Sequence, residues 1–130
     1  MKININQKKH KGKISNTPLI NQPTKQNSLK LVSTSTGRIN KIQYNSMLNA
    51  LKQKINVNTK IADKISINYP VTAKTLETRM GKGKGSFDHY VAKIRPNKVI
   101  VEIFAGQNGV NNRKFLRLAG MKLPIRSIVI

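Results

Sequence analysis

Apolar residues recur at helical spacing in one central part of the chain. After Gly37 and Asn40, the stretch KIQYNSMLNALKQKI carries apolar side chains three or four positions apart, at Tyr44, Met47, Leu48, Leu51 and Ile55. This spacing places them on one face of an α-helix. Asparagine is a favoured N-cap and glycine interrupts the preceding segment. We therefore predict a helix that begins after Asn40 and packs one face against a core.

Alternating apolar and polar residues predict strands farther along the chain. Residues 64–70, KISINYP, alternate in this way and predict a strand that ends at Pro70, with a weaker β-branched run after it. Residues 88–104, DHYVAKIRPNKVIVEIF, contain two β-rich runs joined by Pro96-Asn97, which predicts a hairpin. Both faces of the second run are mostly apolar, so we expect it to be a central strand.

The C-terminal part predicts a second helix and a last strand. Asn111 or Asn112 can cap a helix whose apolar stripe contains Phe115, Leu118 and Ala119. Gly120 and Pro124 end this helix, and IRSIVI predicts a strand. Two helices that cover one sheet give an α+β fold.

The N-terminal part differs from the rest of the chain. It is polar, contains Pro18 and Pro23, and shows no sustained periodicity. Such a segment cannot bury enough apolar surface to offset its ordering entropy. We therefore predict a basic extension over residues 1–36 that is disordered without RNA, followed by a single α+β domain over residues 37–130.

The charge balance indicates the class of partner. There are 25 Lys and Arg against 4 Asp and Glu, a formal net charge of +21. A polyanion would relieve this self-repulsion, and nucleic acid does so with release of counterions. An anionic membrane is the other candidate, but no apolar run approaches the roughly 18 to 20 residues that a spanning helix needs. We expect no membrane span.

Enzymatic chemistry has little support in the sequence. The four acids are too sparse for a carboxylate pair or a hard-metal site, there is no cysteine, and the two histidines lie far apart. We therefore expect no catalytic residue, no metal, no cofactor and no small-molecule substrate.

A glycine-lysine motif precedes the first run of residues 88–104. It consists of Arg79, Met80, Gly81, Lys82, Gly83, Lys84 and Gly85. Its G-x-G-x-G spacing fits neither a P-loop nor a dinucleotide fingerprint. Glycine lets backbone N–H groups approach phosphate closely, and the cations suit an irregular RNA surface. A flexible loop whose lysines only keep it soluble is the alternative.

Several stretches resemble the L-sixteen family of large-subunit ribosomal proteins. The longest is TRMGKGKGSFDHYVAKIRPNKVIVEI over residues 78–103, and FLRLAGMKLPIR over residues 115–126 is similar to the last helix of that family. HKGK at residues 10–13 and GRIN at residues 37–40 resemble shorter family motifs. Residues 14–36 do not match, so the resemblance implies nothing for them.

The resemblance implies an α/β-hammerhead-like sheet covered by two helices, with a basic extended N-terminal tail and a long glycine-lysine loop. It implies a structural protein of the large ribosomal subunit that binds large-subunit rRNA near the aminoacyl-tRNA site, beside neighbouring ribosomal proteins. The loop motif would face the aminoacyl-site tRNA. The candidate rRNA-binding residues are Lys8, Lys9, His10, Lys11, Lys13, Arg38, Lys41, Arg113, Arg117, Lys122 and Arg126.

Composition bears on location and on the alternative function. Lys, Asn and Ile are abundant, and their codons are rich in A and T, which favours an organelle or a reduced bacterium. With the resemblance, this predicts a mitochondrion-encoded protein of the mitochondrial ribosome; the bacterial cytoplasm is the alternative location. Composition alone equally allows a free-standing basic RNA- or DNA-binding chaperone.

Overall fold

The computed structural model describes residues 10–23, 27–104 and 109–130. Within these residues the chain forms seven strands and two helices. In chain order they are β1 (Ser28–Ser33), β2 (Gly37–Asn40), α1 (Lys41–Lys54), β3 (Ile61–Asp63), β4 (Tyr69–Ala73), β5 (Ser86–Ile94), β6 (Val99–Phe104), α2 (Gly109–Gly120) and β7 (Ser127–Val129). The α+β class predicted from the sequence is confirmed.

The strands form two antiparallel sheets rather than the one sheet that was expected. The larger sheet has the order β3-β6-β1-β7 and the smaller has the order β2-β5-β4. The strand β6 lies between β3 and β1, and its residues from Val99 to Ile103 are all buried. The prediction that this run is a central strand is confirmed, because a strand with two apolar faces needs cover on both.

The predicted hairpin at Pro96-Asn97 is wrong. Strands β5 and β6 belong to different sheets, and the turn carries the chain from one sheet to the other. Asn97 has a φ of 60°, a left-handed conformation that asparagine tolerates. Its backbone N–H donates to Ser33 O at 2.8 Å, and the Ser33 hydroxyl donates to Arg95 O at 2.7 Å. The turn is therefore fastened to β1 and not to a hairpin ladder.

A strand that the sequence did not predict lies in the middle of the larger sheet. β1 pairs with β6 on one side and with β7 on the other. Its residues Leu31 and Val32 are buried in the core. Residues 1–36 were expected to lie outside the folded domain, whereas the structure places β1 inside it.

The strand predicted over residues 64–70 is also wrong. These residues mostly form an irregular connection between β3 in the larger sheet and β4 in the smaller one. Ile65 and Ile67 pack against the core from this connection without joining a ladder. Pro70 lies inside β4, an edge strand, where a residue that has no backbone N–H is tolerated.

The first helix agrees with its prediction. Tyr44, Met47 and Leu51 are buried, and the backbone N–H of Asn40 donates to Gln43 Oε1 at 3.0 Å. This bond is one half of the capping-box pattern at a helix start.

The second helix begins earlier than predicted, and a different face of it is buried. It starts at Gly109, so Asn111 and Asn112 lie inside it, and Asn112 is buried. Leu116 is fully buried while Leu118 is 45% exposed, so Leu118 does not belong to the packed stripe.

The core lies between the two helices and the two sheets. Helix α1 contacts β2 and β5 of the smaller sheet, α2 contacts β1 and β7 of the larger one, and the helices contact each other. Both sheets and both helices therefore contribute to one packed core.

Candidate nucleic-acid interface

Residues 10–23, here called the N-terminal segment, are fastened to the smaller sheet at their beginning. Arg38 in β2 donates from Nη2 to Lys11 O at 3.2 Å and to Gly12 O at 3.0 Å. The Tyr69 hydroxyl in β4 donates to His10 O. One guanidinium and one phenol therefore hold three consecutive residues of the segment through their backbone carbonyls.

The other end of the N-terminal segment is fastened to the turn between the sheets. Leu19 N donates to Pro96 O at 3.0 Å, and Arg95 Nη2 donates to Thr17 Oγ1 at 3.0 Å. Val99 N donates to Gln22 Oε1 at 2.9 Å. Polar contacts attach the segment, which explains why its sequence shows no apolar periodicity. That residues 1–36 are disordered without RNA stays a prediction.

Residues 74–85, here called the Gly-Lys loop, connect β4 to β5. Gly81 and Gly83 have φ values of 88° and 80°, in the left-handed region that favours glycine. A Cβ added at either position would meet nothing within 4 Å, so the backbone conformation, not lack of space, requires glycine there. Met80 is 97% exposed, so the loop tip adds no side chain to the core.

The base of the Gly-Lys loop is held more tightly than its tip. A Cβ at Gly85 would lie 2.3 Å from Ala73 O, far inside van der Waals contact. Glycine at this position therefore lets the last residue before β5 pass directly over the end of β4. The loop leaves the sheet from a narrow base and carries its cations outward.

A cleft of about 470 Å³ lies between the N-terminal segment and the base of the Gly-Lys loop. Its lining residues are His10, Lys11, Arg38, Tyr69, Pro70, Val71, Thr72 and Lys84. The structure thus brings together four site residues that were predicted from distant parts of the sequence: His10, Lys11, Arg38 and Lys84. No carboxylate is among the lining residues in the described part of the chain.

A second set of basic residues lies on α2 and the residues after it. Arg113, Arg117, Lys122 and Arg126 are all exposed. Arg117 and Arg126 line one groove of about 420 Å³, together with Met121 and Ile128. Lys13 and Lys41 are exposed as well, and Lys8 and Lys9 lie outside the described residues. The structure therefore places predicted rRNA-binding residues at both the cleft and this groove.

The comparison with known families decides what kind of protein carries this arrangement. A family model described as ribosomal protein L16p/L10e matches residues 2–130. The chain belongs to this family. The resemblance found in the glycine-lysine motif and in the last helix is thereby confirmed.

Individual relatives agree with the family match. The chain is 32% identical over 122 residues to the large ribosomal subunit protein uL16 of Blochmanniella floridana, which covers 94% of this chain and 90% of that protein. It is 31% identical over 126 residues to uL16 of Acinetobacter baumannii strain SDF, covering 95% and 89%. It is 37% identical over 97 residues to uL16 of Leptospira biflexa, covering 75% and 70%.

In this member of the L16p/L10e family, the floor of the cleft is formed by residues of β4. The bounds of this strand were not predicted, because the sequence indicated a strand over residues 64–70 that ended at Pro70. Lys93 in β5 was missed too, and its Nζ lies 3.6 Å from the centre of the Tyr69 ring. A cation over an aromatic face is a favourable contact, so Lys93 supports the residue that holds His10.

Two other kinds of site are absent from the described part of the chain. Across residues 10–23, 27–104 and 109–130, no three His, Cys, Asp or Glu side chains are grouped so that they could hold a metal ion. No helix in those ranges is long and apolar enough to cross a membrane.

The core contains a tyrosine with a shifted pKa. Burial raises the pKa of Tyr44 above its usual value, and nearby Asp63 raises it further.

Proposed function

We propose that this protein is a structural constituent of the large ribosomal subunit, where it binds large-subunit rRNA near the aminoacyl-tRNA site and helps to position tRNA. The observation that carries the proposal is the convergence of the N-terminal segment and the Gly-Lys loop at one cleft. The family resemblance assigns the Gly-Lys loop to the tRNA side, and it includes HKGK at residues 10–13 of the N-terminal segment. Their common position on one end of the smaller sheet supports one shared role.

The architecture supports two different roles, one for the packed body as the rRNA anchor and one for the Gly-Lys loop as the part that extends from it. The two sheets and two helices form a packed body that carries the exposed cations of α2 and the residues after it. The Gly-Lys loop extends from that body on a narrow base. Each Lys or Arg placed against phosphate releases a counterion, so the body's cations supply affinity while the loop supplies position.

We propose no catalytic role for the protein. The cleft is lined by three cations, a histidine, a tyrosine, a threonine and two apolar residues. General acid-base chemistry needs a positioned proton donor or acceptor with an oriented partner. Among the described residues that line the cleft, His10 is the one histidine, and its carbonyl, not its ring, makes the contact with Tyr69.

Co-sedimentation tests the proposal against its alternative, a free-standing basic chaperone. A constituent of the large subunit remains with the subunit through high-salt washing, because its contacts include a folded surface as well as phosphates. A chaperone held by charge alone elutes, because screening weakens such contacts steeply. Loss of the protein from the subunit in high salt would favour the chaperone.

The partners belong to the same proposal: large-subunit rRNA, aminoacyl-site tRNA and neighbouring ribosomal proteins. For location, we propose the mitochondrial ribosome on the basis of the many Lys, Asn and Ile residues, whose codons are rich in A and T, with the bacterial cytoplasm as the alternative. The uL16 relatives are bacterial proteins and fit either location. Fractionation of the source cells distinguishes the two, since only one places the protein with organellar ribosomes.

A further inference from the structure

The cleft between the N-terminal segment and the Gly-Lys loop combines a basic rim with an apolar floor. Lys11 and Lys84 lie at its sides, while Pro70 and Val71 contribute the floor. Pro70 is buried and Val71 is half-buried. Contacts to an RNA backbone need only cations and hydrogen-bond donors at the surface. A concave apolar space beside them fits a ligand that has both an anionic group and an apolar body.

We propose that this cleft holds one unstacked nucleotide of a bound RNA, with its base against Pro70 and Val71 and its phosphate between Lys11 and Lys84. This inference rests on the proposed function and deepens it, because it names the part of the RNA that is recognised. The volume of about 470 Å³ lies within the range of roughly 300 to 1,000 Å³ that is usual for sites of small organic groups. Protein recognition of RNA commonly uses bases that are splayed out of the stack.

The floor has an irregularity that suits such a site. The ladder between β4 and β5 shifts register between Val71 and Thr72, and both residues line the cleft. Val71 pairs with His89 and Thr72 with Phe87, so the extra residue of this bulge, Asp88, lies in β5. A bulge increases the local twist of the two paired strands, and here that twist falls at the residues of β4 that line the cleft.

Both walls of the cleft are held in place before any ligand binds. Arg38 and Tyr69 fasten the wall at residues 10–12 through three backbone carbonyls. Lys84 in the opposite wall comes immediately before Gly85, where the loop passes closely over Ala73. A preformed site loses less conformational entropy on binding than a mobile one does. This favours a specific occupant over loose electrostatic attraction.

Two RNA strands of equal length and charge test the proposal with the full-length protein. One is an ordinary short single strand, and the other lacks its bases. Binding is followed by fluorescence anisotropy at one fixed salt concentration. We expect the protein to bind the intact strand about tenfold more tightly, a difference of about 1.4 kcal/mol. Val71→Phe, which fills the floor without changing charge, should remove this preference.

Matched controls keep the test decisive. Val57→Phe makes the same change at a fully exposed position in the connection between α1 and β3, so it should keep the preference. Thr72→Tyr, also in the floor, replaces Val71→Phe if melting curves show that the latter is unfolded. An equal affinity of the wild-type protein for both strands would overturn the nucleotide site while leaving RNA binding intact, as would a preference that survives in both floor variants. Failure to bind either strand would overturn the proposed RNA-binding function itself.

Discussion

The Nζ atom of Lys64 lies 3.2 Å from Oε2 of Glu102, whose side chain is fully buried in β6. The Ser28 hydroxyl in β1 donates to the other carboxylate oxygen. One of only four acids in a chain with a net charge of +21 is therefore used inside the sheet. It connects β6 to β1 and to the start of the connection that leads to β4. Lys64 itself is 29% exposed, so loss of the lysine and loss of the carboxylate have different consequences.

We predict that Lys64→Met destabilises the protein more than Glu102→Gln does. Removing the lysine leaves a buried carboxylate without its cation, at a cost of about 3 kcal/mol in the free energy of unfolding. Removing the carboxylate charge costs about 1 kcal/mol, because a neutral amide keeps the shape and the partly exposed ammonium can turn to solvent. Urea denaturation of both variants measures the difference.

The double variant and a surface control complete this cycle. Lys64→Met together with Glu102→Gln should be more stable than Lys64→Met alone, since no unpaired charge then stays buried. Lys60→Met, at an exposed lysine just before β3, should change stability by no more than about 0.5 kcal/mol. Equal losses for Lys64→Met and Lys60→Met would show that the ion pair contributes nothing to the fold.

A second prediction concerns the attachment of the N-terminal segment. Arg38→Ala removes the two hydrogen bonds to Lys11 O and Gly12 O, so the segment should leave the sheet more often. Trypsin should then cleave after Lys11 and Lys13 several-fold faster in the free protein, since proteolysis follows local opening. Mass spectrometry of a time course identifies the sites.

The exposed Arg113 offers a matched control for this measurement. Arg113→Ala removes the same charge from α2 and should leave cleavage after Lys11 and Lys13 unchanged. If Arg38→Ala also leaves it unchanged, the segment is already detached in the absence of RNA. That result would support the disorder predicted from the sequence over the attachment seen in the structure.

A third prediction concerns the salt dependence of RNA binding. Each phosphate neutralised on a single strand contributes about −0.7 to the slope of log affinity against log salt, and about −0.9 on a duplex. Arg117→Ala and Arg126→Ala remove two exposed cations that line one groove. Each variant should make that slope shallower by about 0.7 on a single strand or about 0.9 on a duplex, the contribution of one phosphate. A slope that stays the same in both variants would exclude this groove from the RNA contact.

What the sequence predicted correctly rests on local information. The helix α1 follows from a cap at Asn40 and a stripe of apolar residues within 14 helical positions. The central position of β6 follows from the apolar character of both its faces. The candidate site residues came from motifs that the family shares, and their binding roles stay a prediction.

What the sequence did not predict depends on residues that lie far apart along the chain. β1 is a short strand whose partners are β6 and β7, and nothing near Leu31 indicates either of them. The turn at Pro96-Asn97 was recognised, but turn chemistry does not decide whether the next strand joins the same sheet. The cleft needs residues 10–11 to meet β4, and only the folded chain brings them together.

A fourth prediction compares two glycines of the Gly-Lys loop. Gly85→Ala should destabilise the protein, because its Cβ would meet the Ala73 backbone at 2.3 Å, and we expect a loss of about 2 kcal/mol from overpacking. Gly83→Val introduces a β-branched residue at a φ of 80° but meets no neighbour. Its strain of about 1 kcal/mol is relieved when the exposed loop changes conformation, so its thermal unfolding should change little. Differential scanning calorimetry of the two variants tests this order.

The last prediction separates the loop's function from its structure. Replacing Arg79, Lys82 and Lys84 together with alanine should leave the melting temperature almost unchanged, because all three are exposed and such changes usually fall within about 0.5 kcal/mol. Large subunits that carry this variant should still assemble, since the packed body and the cations of α2 are intact. They should bind aminoacyl-site tRNA less well.

The matched control for lost charge replaces three exposed lysines at the end of α1 and before β3 with alanine: Lys52, Lys54 and Lys60. Normal tRNA binding by the loop variant, or equal loss in the control, would show that the loop is not the part that positions tRNA.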